Sequence, residues 1–199
     1  MPDQVKKLWE FKPVNDTQRQ ALDFWFLSYL CNGANNYDLM RLKWMDISNG
    51  KIIFHRSKTS RTATNSIPIV VHIHEEVKNI IERHGNQKKG QNDYVFPLLN
   101  DCKTALEIDT EVRHWRRNVN KCLNRIGKRL GFDFLLSISL SRHSFATVLK
   151  LKGTPTAVIG DMLGHTSSTT TEFYLSSITD DMSKNITSTL LDFNPLKAV

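Results

Sequence analysis

Apolar positions along this chain recur at helical spacing over most of its length, and at strand spacing in one short region. From Thr17 onward, Ala21, Phe24, Trp25, Leu27, Ser28 and Leu30 mark one broad face, which predicts a helix with Asp16 or Thr17 as its N-cap and a stop at Cys31, Asn32 and Gly33. A second helix is expected with Asn36 as its cap and Leu39, Met40 and Leu42 turned inward. WMDI and KIIFHRS flank a turn at Ser48, Asn49 and Gly50, and their β-branched and aromatic residues predict a hairpin. The polar loop SKTSRTATN then leads to a third strand at residues 67 to 71, which puts Lys58 at the mouth of the second turn.

The helical period returns at residues 73 to 84, closed by Gly85, and GNQKKGQND reads as a surface loop. From Thr110 to Leu130, Val112, Trp115, Val119, Leu123, Ile126 and Leu130 form an unbroken stripe. Further helices are expected at about 139 to 152, 155 to 163, 168 to 176 and 180 to 191. Residues 1 to 16 carry Pro2 and Pro13 and show no clean period, so they read as a leader or the tail of a linker. The predicted fold class is α+β, a mainly helical domain with a small three-stranded antiparallel sheet.

Charge narrows the choice of partner. The formal net charge is +7, a surplus that favours nucleic acid or an anionic membrane surface. FWFLSYL and IPIVV are far short of the ~20 residues needed to span a bilayer, so double-stranded DNA is the expected partner and a membrane is not. The cations concentrate on the helix beginning at Thr110: Arg113, Arg116, Arg117, Lys121, Arg125, Lys128 and Arg129, with no carboxylate between Glu111 and Asp133. Such a face can lie along a phosphate backbone. The three cysteines, Cys31, Cys102 and Cys122, lack metal-ligand spacing and sit among apolar neighbours, which suits a reducing cytoplasm.

No carboxylate cluster for a pair of cations is present, and no HExxH, CxxC, GxxxxGK[ST] or GxSxG occurs. A phosphodiester can still be cut without metal. Arginines must hold the non-bridging oxygens, a general acid must protonate the leaving oxygen, and a side chain must attack.

RHSFAT at 142 to 147, LGH at 163 to 165 and Tyr174 nine positions after His165 resemble the tyrosine recombinase (phage integrase) family, and in particular integrases of conjugative transposons. YLCNGANNYDLMRLKWMDI and HRSKT extend the likeness, so it covers roughly residues 17 to 176.

The resemblance implies that Arg142 grips the scissile phosphate, Lys58 gives a proton to the departing 5′ oxygen, and His165 bonds the phosphate or the nucleophile. Tyr174 would attack phosphorus to form a 3′-phosphotyrosyl link. Arg113, Arg116, Arg117, Lys121, Arg125 and His143 are the expected DNA contacts. No cofactor or metal is implied. Residues 17 to 199 would form the catalytic domain, without the N-terminal domain that completes the family's clamp around DNA. The protein would be a monomer alone, a dimer on a site and a tetramer in synapsis.

Two positions depart from the pattern. Asn35 stands where the first arginine is expected and Ser139 where a histidine is expected, while Asp38 replaces the glutamate. Arg41, Arg56 and Arg61 are candidates to fill the vacancy. The helix at 180 to 191 could pad its own core or dock on a neighbouring protomer. Two other functions fit the same residues: a DNA-binding protein of this fold with impaired chemistry, and a type IB topoisomerase-like nicking and closing enzyme.

Overall fold

The computed structural model describes residues 2–57, 68–88 and 90–164. Its helices are α1 (Pro2–Glu10), α2 (Asp16–Leu30), α3 (Asn36–Met40), α4 (Glu75–His84), α5 (Ala105–Arg129), α6 (Leu140–Leu151) and α7 (Thr156–Met162). Strands β1 (Ile47–Ser48), β2 (Lys51–Phe54) and β3 (Ile69–His72) form one antiparallel sheet in the order β1-β2-β3. The mainly helical fold with a small three-stranded sheet is the one expected. Lys58, Arg61, His165, Tyr174 and the helices expected at 168 to 176 and 180 to 191 lie outside the described residues.

Helix α2 is the axis of the core. Residues Ala21 through Ser28 are all buried, so the helix is enclosed by α4, α5 and α6 rather than showing the single broad face read from the sequence. Its cap is Asn15, one residue ahead of the expected position, because the Asn15 side chain accepts a bond from the Gln18 backbone N–H. Buried Asp23 accepts from Arg83 Nε at 3.0 Å and lies 2.8 Å from His84 Nε2, which fastens α4 to α2.

The sheet follows its pattern. Asn49 and Gly50 both take positive φ, 50° and 71°, as a two-residue hairpin turn requires. Phe54 pairs with Ile69 and Ile52 with Val71, and these four side chains are buried, while the neighbouring pair Ile53 and Val70 faces outward.

Two expectations are corrected. Residues 2 to 10 are helical, not a patternless leader: Val5 and Leu8 share a face, Leu8 is buried in the main core, and Trp9 meets Phe26 edge to face at 5.0 Å. Two turns are too few for the period to stand out beside the prolines. Helix α5 begins at Ala105, ahead of Thr110, because Thr104 and Glu107 form a reciprocal capping box. No described helix is long and apolar enough to cross a membrane.

Candidate active site

Arg142 lies in the first turn of α6 and is half-buried. Its Nη1 donates to the Gly33 carbonyl at 2.9 Å and its Nη2 to the Leu163 carbonyl at 2.7 Å. One guanidinium thus ties the turn after α2 to the end of α7. The turn is shaped for this approach: Gly33 has φ 62°, and a Cβ there would lie 3.0 Å from the Arg142 Cα. Beneath it, the Ser28 and Ser141 hydroxyl oxygens are 2.6 Å apart, with the Ala34 and Ile138 carbonyls as further acceptors, so small polar side chains hold α2 and α6 in close contact. Ser139 precedes Arg142 by nearly one turn, is exposed, and makes no capping bond.

Arg56, just beyond β2, donates from Nη1 to the Gly164 carbonyl at 3.3 Å. The two guanidinium groups therefore reach successive carbonyls, those of Leu163 and Gly164, immediately before His165 in the chain. Arg41 turns elsewhere: its Nη1 donates to the Tyr37 hydroxyl at 3.1 Å and its guanidinium carbon lies 5.3 Å from the centre of that ring.

Asn35 has a structural task. Its Oδ1 accepts from the Tyr37 backbone N–H at 3.0 Å, which makes Asn35 the N-cap of α3 in place of Asn36. Its backbone is extended (φ −66°, ψ 141°), the geometry a cap needs, whereas Asn36 is already helical. Asn35→Ala should lower folding stability by about 1 kcal/mol, read as a reduced midpoint in urea denaturation.

Asp38 is buried on the same short helix, and its Oδ1 accepts from both the backbone N–H of Ser57, at 3.0 Å, and the Ser57 hydroxyl. Asn35, Tyr37, Asp38, Arg41, His55 and Ser57 line a polar cleft of about 500 Å³. Burial, and then a hydrogen bond to Asp109, raise the Tyr37 pKa above its ordinary value. His143, beside Arg142, is shifted the other way, below 6.5, first by burial and then by the Arg142 charge. At neutral pH it can meet a phosphate as a neutral hydrogen-bond donor, not as a cation.

On α5, Val112, Val119, Cys122, Leu123 and Ile126 face the core, and Arg113, Arg116, Arg117, Lys121 and Arg125 are all exposed. Among the described residues, no group of three or more His, Cys, Asp or Glu side chains is placed to hold a metal ion. The structure brings Arg142, Arg56 and Gly33 together around the end of α7, and Asn35, Asp38 and Ser57 around one cleft. The Asp38–Ser57 and Arg56–Gly164 contacts escape sequence reading, because neither pair has a periodic or motif signal.

Comparison with known proteins identifies the family. The sequence matches the phage integrase family over residues 2–180. It is 30% identical over 179 residues to a tyrosine recombinase of Pseudothermotoga lettingae, covering 88% of this chain and 54% of that protein. It is 27% identical over 149 residues to tyrosine recombinase XerA of Saccharolobus solfataricus, covering 75% and 43%. The chain thus spans about half the length of the curated relatives it matches. Among solved structures, the Tn1549 transposon integrase in complex with transposon right end DNA shares the fold with TM-score 0.67 and 17% identity, over 96% of this chain and 65% of that one. A XerA recombinase crystal structure gives 0.59 and 18%, over 94% and 61%. This chain belongs to the phage integrase family, the tyrosine recombinases.

Proposed function

We propose that the chain is the catalytic domain of a site-specific recombinase that cuts and rejoins double-stranded DNA through Tyr174, in the integration or excision of a mobile element. The observation that carries this reading is the convergence of Arg142 and Arg56 on the carbonyls of Leu163 and Gly164, directly ahead of His165. A phosphate beside that turn would meet two guanidinium groups, the donors that stabilise charge developing on its non-bridging oxygens. Arg56 thereby takes the part that Asn35, committed to its helix, does not. Arg41 is engaged with Tyr37 and is the weaker candidate.

In the reaction, the phenolic oxygen of Tyr174 attacks phosphorus and gives up its proton to solvent water as the new O–P bond forms. The bond from phosphorus to the 5′ oxygen breaks, and Lys58 protonates that oxygen. His165 bonds the phosphate or the nucleophile. The product is a 3′-phosphotyrosyl link and a free 5′ hydroxyl. The reverse step, with a 5′ hydroxyl from a second strand, rejoins the DNA. The broken bond's energy is kept in the phosphotyrosine, so rejoining needs no nucleotide.

The exposed cations of α5, with His143 at its side of Arg142, are proposed to follow the DNA backbone, with a dimer on each site, a tetramer in synapsis and a monomer in the absence of DNA. Solved relatives of the same fold are complexes with DNA, among them XerH bound to its difH substrate. If Arg117 contacts a phosphate, Arg117→Gln should reduce the slope of log affinity against log salt by about 0.9, measured by fluorescence anisotropy on duplex DNA.

The reading is tested with a pool of nicked duplexes randomised around the cut region, in which the fragment beyond the cut diffuses away. A protein–DNA adduct stable on a denaturing gel supports it. DNA binding without any adduct would favour a binding protein of this fold with impaired chemistry, the alternative that Asn35 and Ser139 suggest.

A further inference from the structure

The exposed face of α5 does not consist of cations alone. Leu106, Thr110, Arg113 and Arg117 stand at i, i+4, i+7 and i+11, so they share one face of the helix, and all four are exposed. Leu106 is 75% exposed, more than any other large apolar side chain among the described residues. The Thr110 hydroxyl donates back to the Leu106 carbonyl at 2.8 Å, so its proton is used within the helix and its methyl group is what it adds to this face. The same turns lie beside the cleft of the candidate site. Asp109, about 4.5 Å along the axis from Leu106, lines that cleft with Asn35 and Asp38. DNA held there for cutting passes close to the start of α5.

The carboxylates of these turns do not close the face to DNA. Glu107 is turned onto its own cap, accepting from the backbone N–H groups of Lys103 at 2.7 Å and Thr104 at 3.0 Å. Asp101, Glu107 and Glu111 line a cleft on one flank of Leu106, so phosphate is repelled from that flank and favoured on the side of Arg113 and Arg117. An α-helix fits the major groove, about 12 Å wide, and the apolar group presented there on a base edge is the C5-methyl of thymine.

We propose that Leu106 is a sequence-reading residue: with the first turns of α5 in the major groove beside the cut, it packs on the C5-methyl group of a thymine while Arg113 and Arg117 hold phosphates. The proposal rests on α5 following DNA, as in the proposed function. Arginine contacts to phosphate position a protein without regard to sequence. Leu106 supplies the sequence dependence they lack, and the contact removes from water a leucine that the fold leaves exposed on a basic face.

The test uses the whole chain and a duplex selected for tight binding from a randomised pool. Each thymine is replaced in turn by uracil, which removes the methyl group and keeps the base pair. At one thymine or two, uracil should weaken wild-type binding ~4-fold, the effect of one buried methyl group. Leu106→Ala should bind the thymine and uracil forms equally, and its thermal melt should match wild type because the side chain is exposed. Arg117→Gln should bind both forms more weakly and keep the ~4-fold ratio. A wild type indifferent to uracil at every position, or a Leu106→Ala chain that keeps the ratio, would overturn the reading role and leave the recombinase reading in place. So would a Leu106→Ala chain whose only change is lost self-association in sedimentation, which would assign the leucine to a protein contact. A wild-type chain that binds no duplex even at low salt would overturn both.

Discussion

Tyr174→Phe should abolish covalent attachment to DNA altogether while leaving duplex binding within ~2-fold of wild type, because phenylalanine keeps the ring and removes only the attacking oxygen. In the proposed scheme the arginines and the lysine serve charge stabilisation and proton donation, and a histidine adduct of phosphorus would be labile in acid where a tyrosyl ester is not. The phenol has an ordinary pKa near ~10, so its oxygen depends on neighbouring positive charge in the transition state. Adduct on a denaturing gel and anisotropy on the same duplex measure the two halves of this prediction. An undiminished adduct in the variant would remove Tyr174 from the mechanism.

Arg142→Ala should reduce the rate of cleavage by ~100-fold or more, the usual cost of removing one oxyanion donor. It should also destabilise the fold, since the Gly33 and Leu163 carbonyls both lose their donor. Each hydrogen bond from a charged group is worth about 1.5–3 kcal/mol, so a visible loss of thermal stability is expected beside the loss of rate. Arg142→Lys separates the two effects. An ammonium is a point charge that cannot span two carbonyls as the planar guanidinium does, so it should restore part of the rate and little of the stability. Single-turnover cleavage and a thermal melt on the same preparations decide the matter. A wild-type rate for Arg142→Ala would remove this residue from phosphate binding.

Much of the fold is legible in the sequence where a period runs for several turns or strands. The stripe from Val112 to Ile126, the Asn49–Gly50 turn and the strand after it appear in the structure as read, whereas Trp44–Asp46, read as part of the strand before the turn, form a 3-10 turn and only Ile47–Ser48 pair as a strand. What fails is short or enclosed. Helix α1 offers only Val5 and Leu8 to its core face, and α2 is buried on all sides, so its period understates its burial. Caps shift by one residue because several candidates stand in a row, Asn15, Asp16 and Thr17 in one case and Asn35 and Asn36 in the other. Backbone conformation selects among them.

The site divides along the same line. Arg142, Asn35 and Asp38 could be marked from motifs, but not what each one holds. Ser57 lies 19 positions from Asp38 and Arg56 lies 108 from Gly164. Contacts across such separations join the segment just past β2 to α3 and to the residue following α7, which no local pattern encodes. Asn35 illustrates the consequence. By position it reads as a missing arginine, while its side chain caps α3 and the second cation beside the α7 end arrives from Arg56.

The central claim is that the chain joins itself to DNA through one tyrosine, and peptide mapping of the trapped adduct tests it most directly. Protease digestion of the wild-type adduct, nuclease trimming and mass spectrometry should recover a peptide carrying a nucleotide 3′-phosphate on Tyr174. A nucleotide on any other residue, or no adducted peptide from a chain that binds the same DNA, would contradict the account.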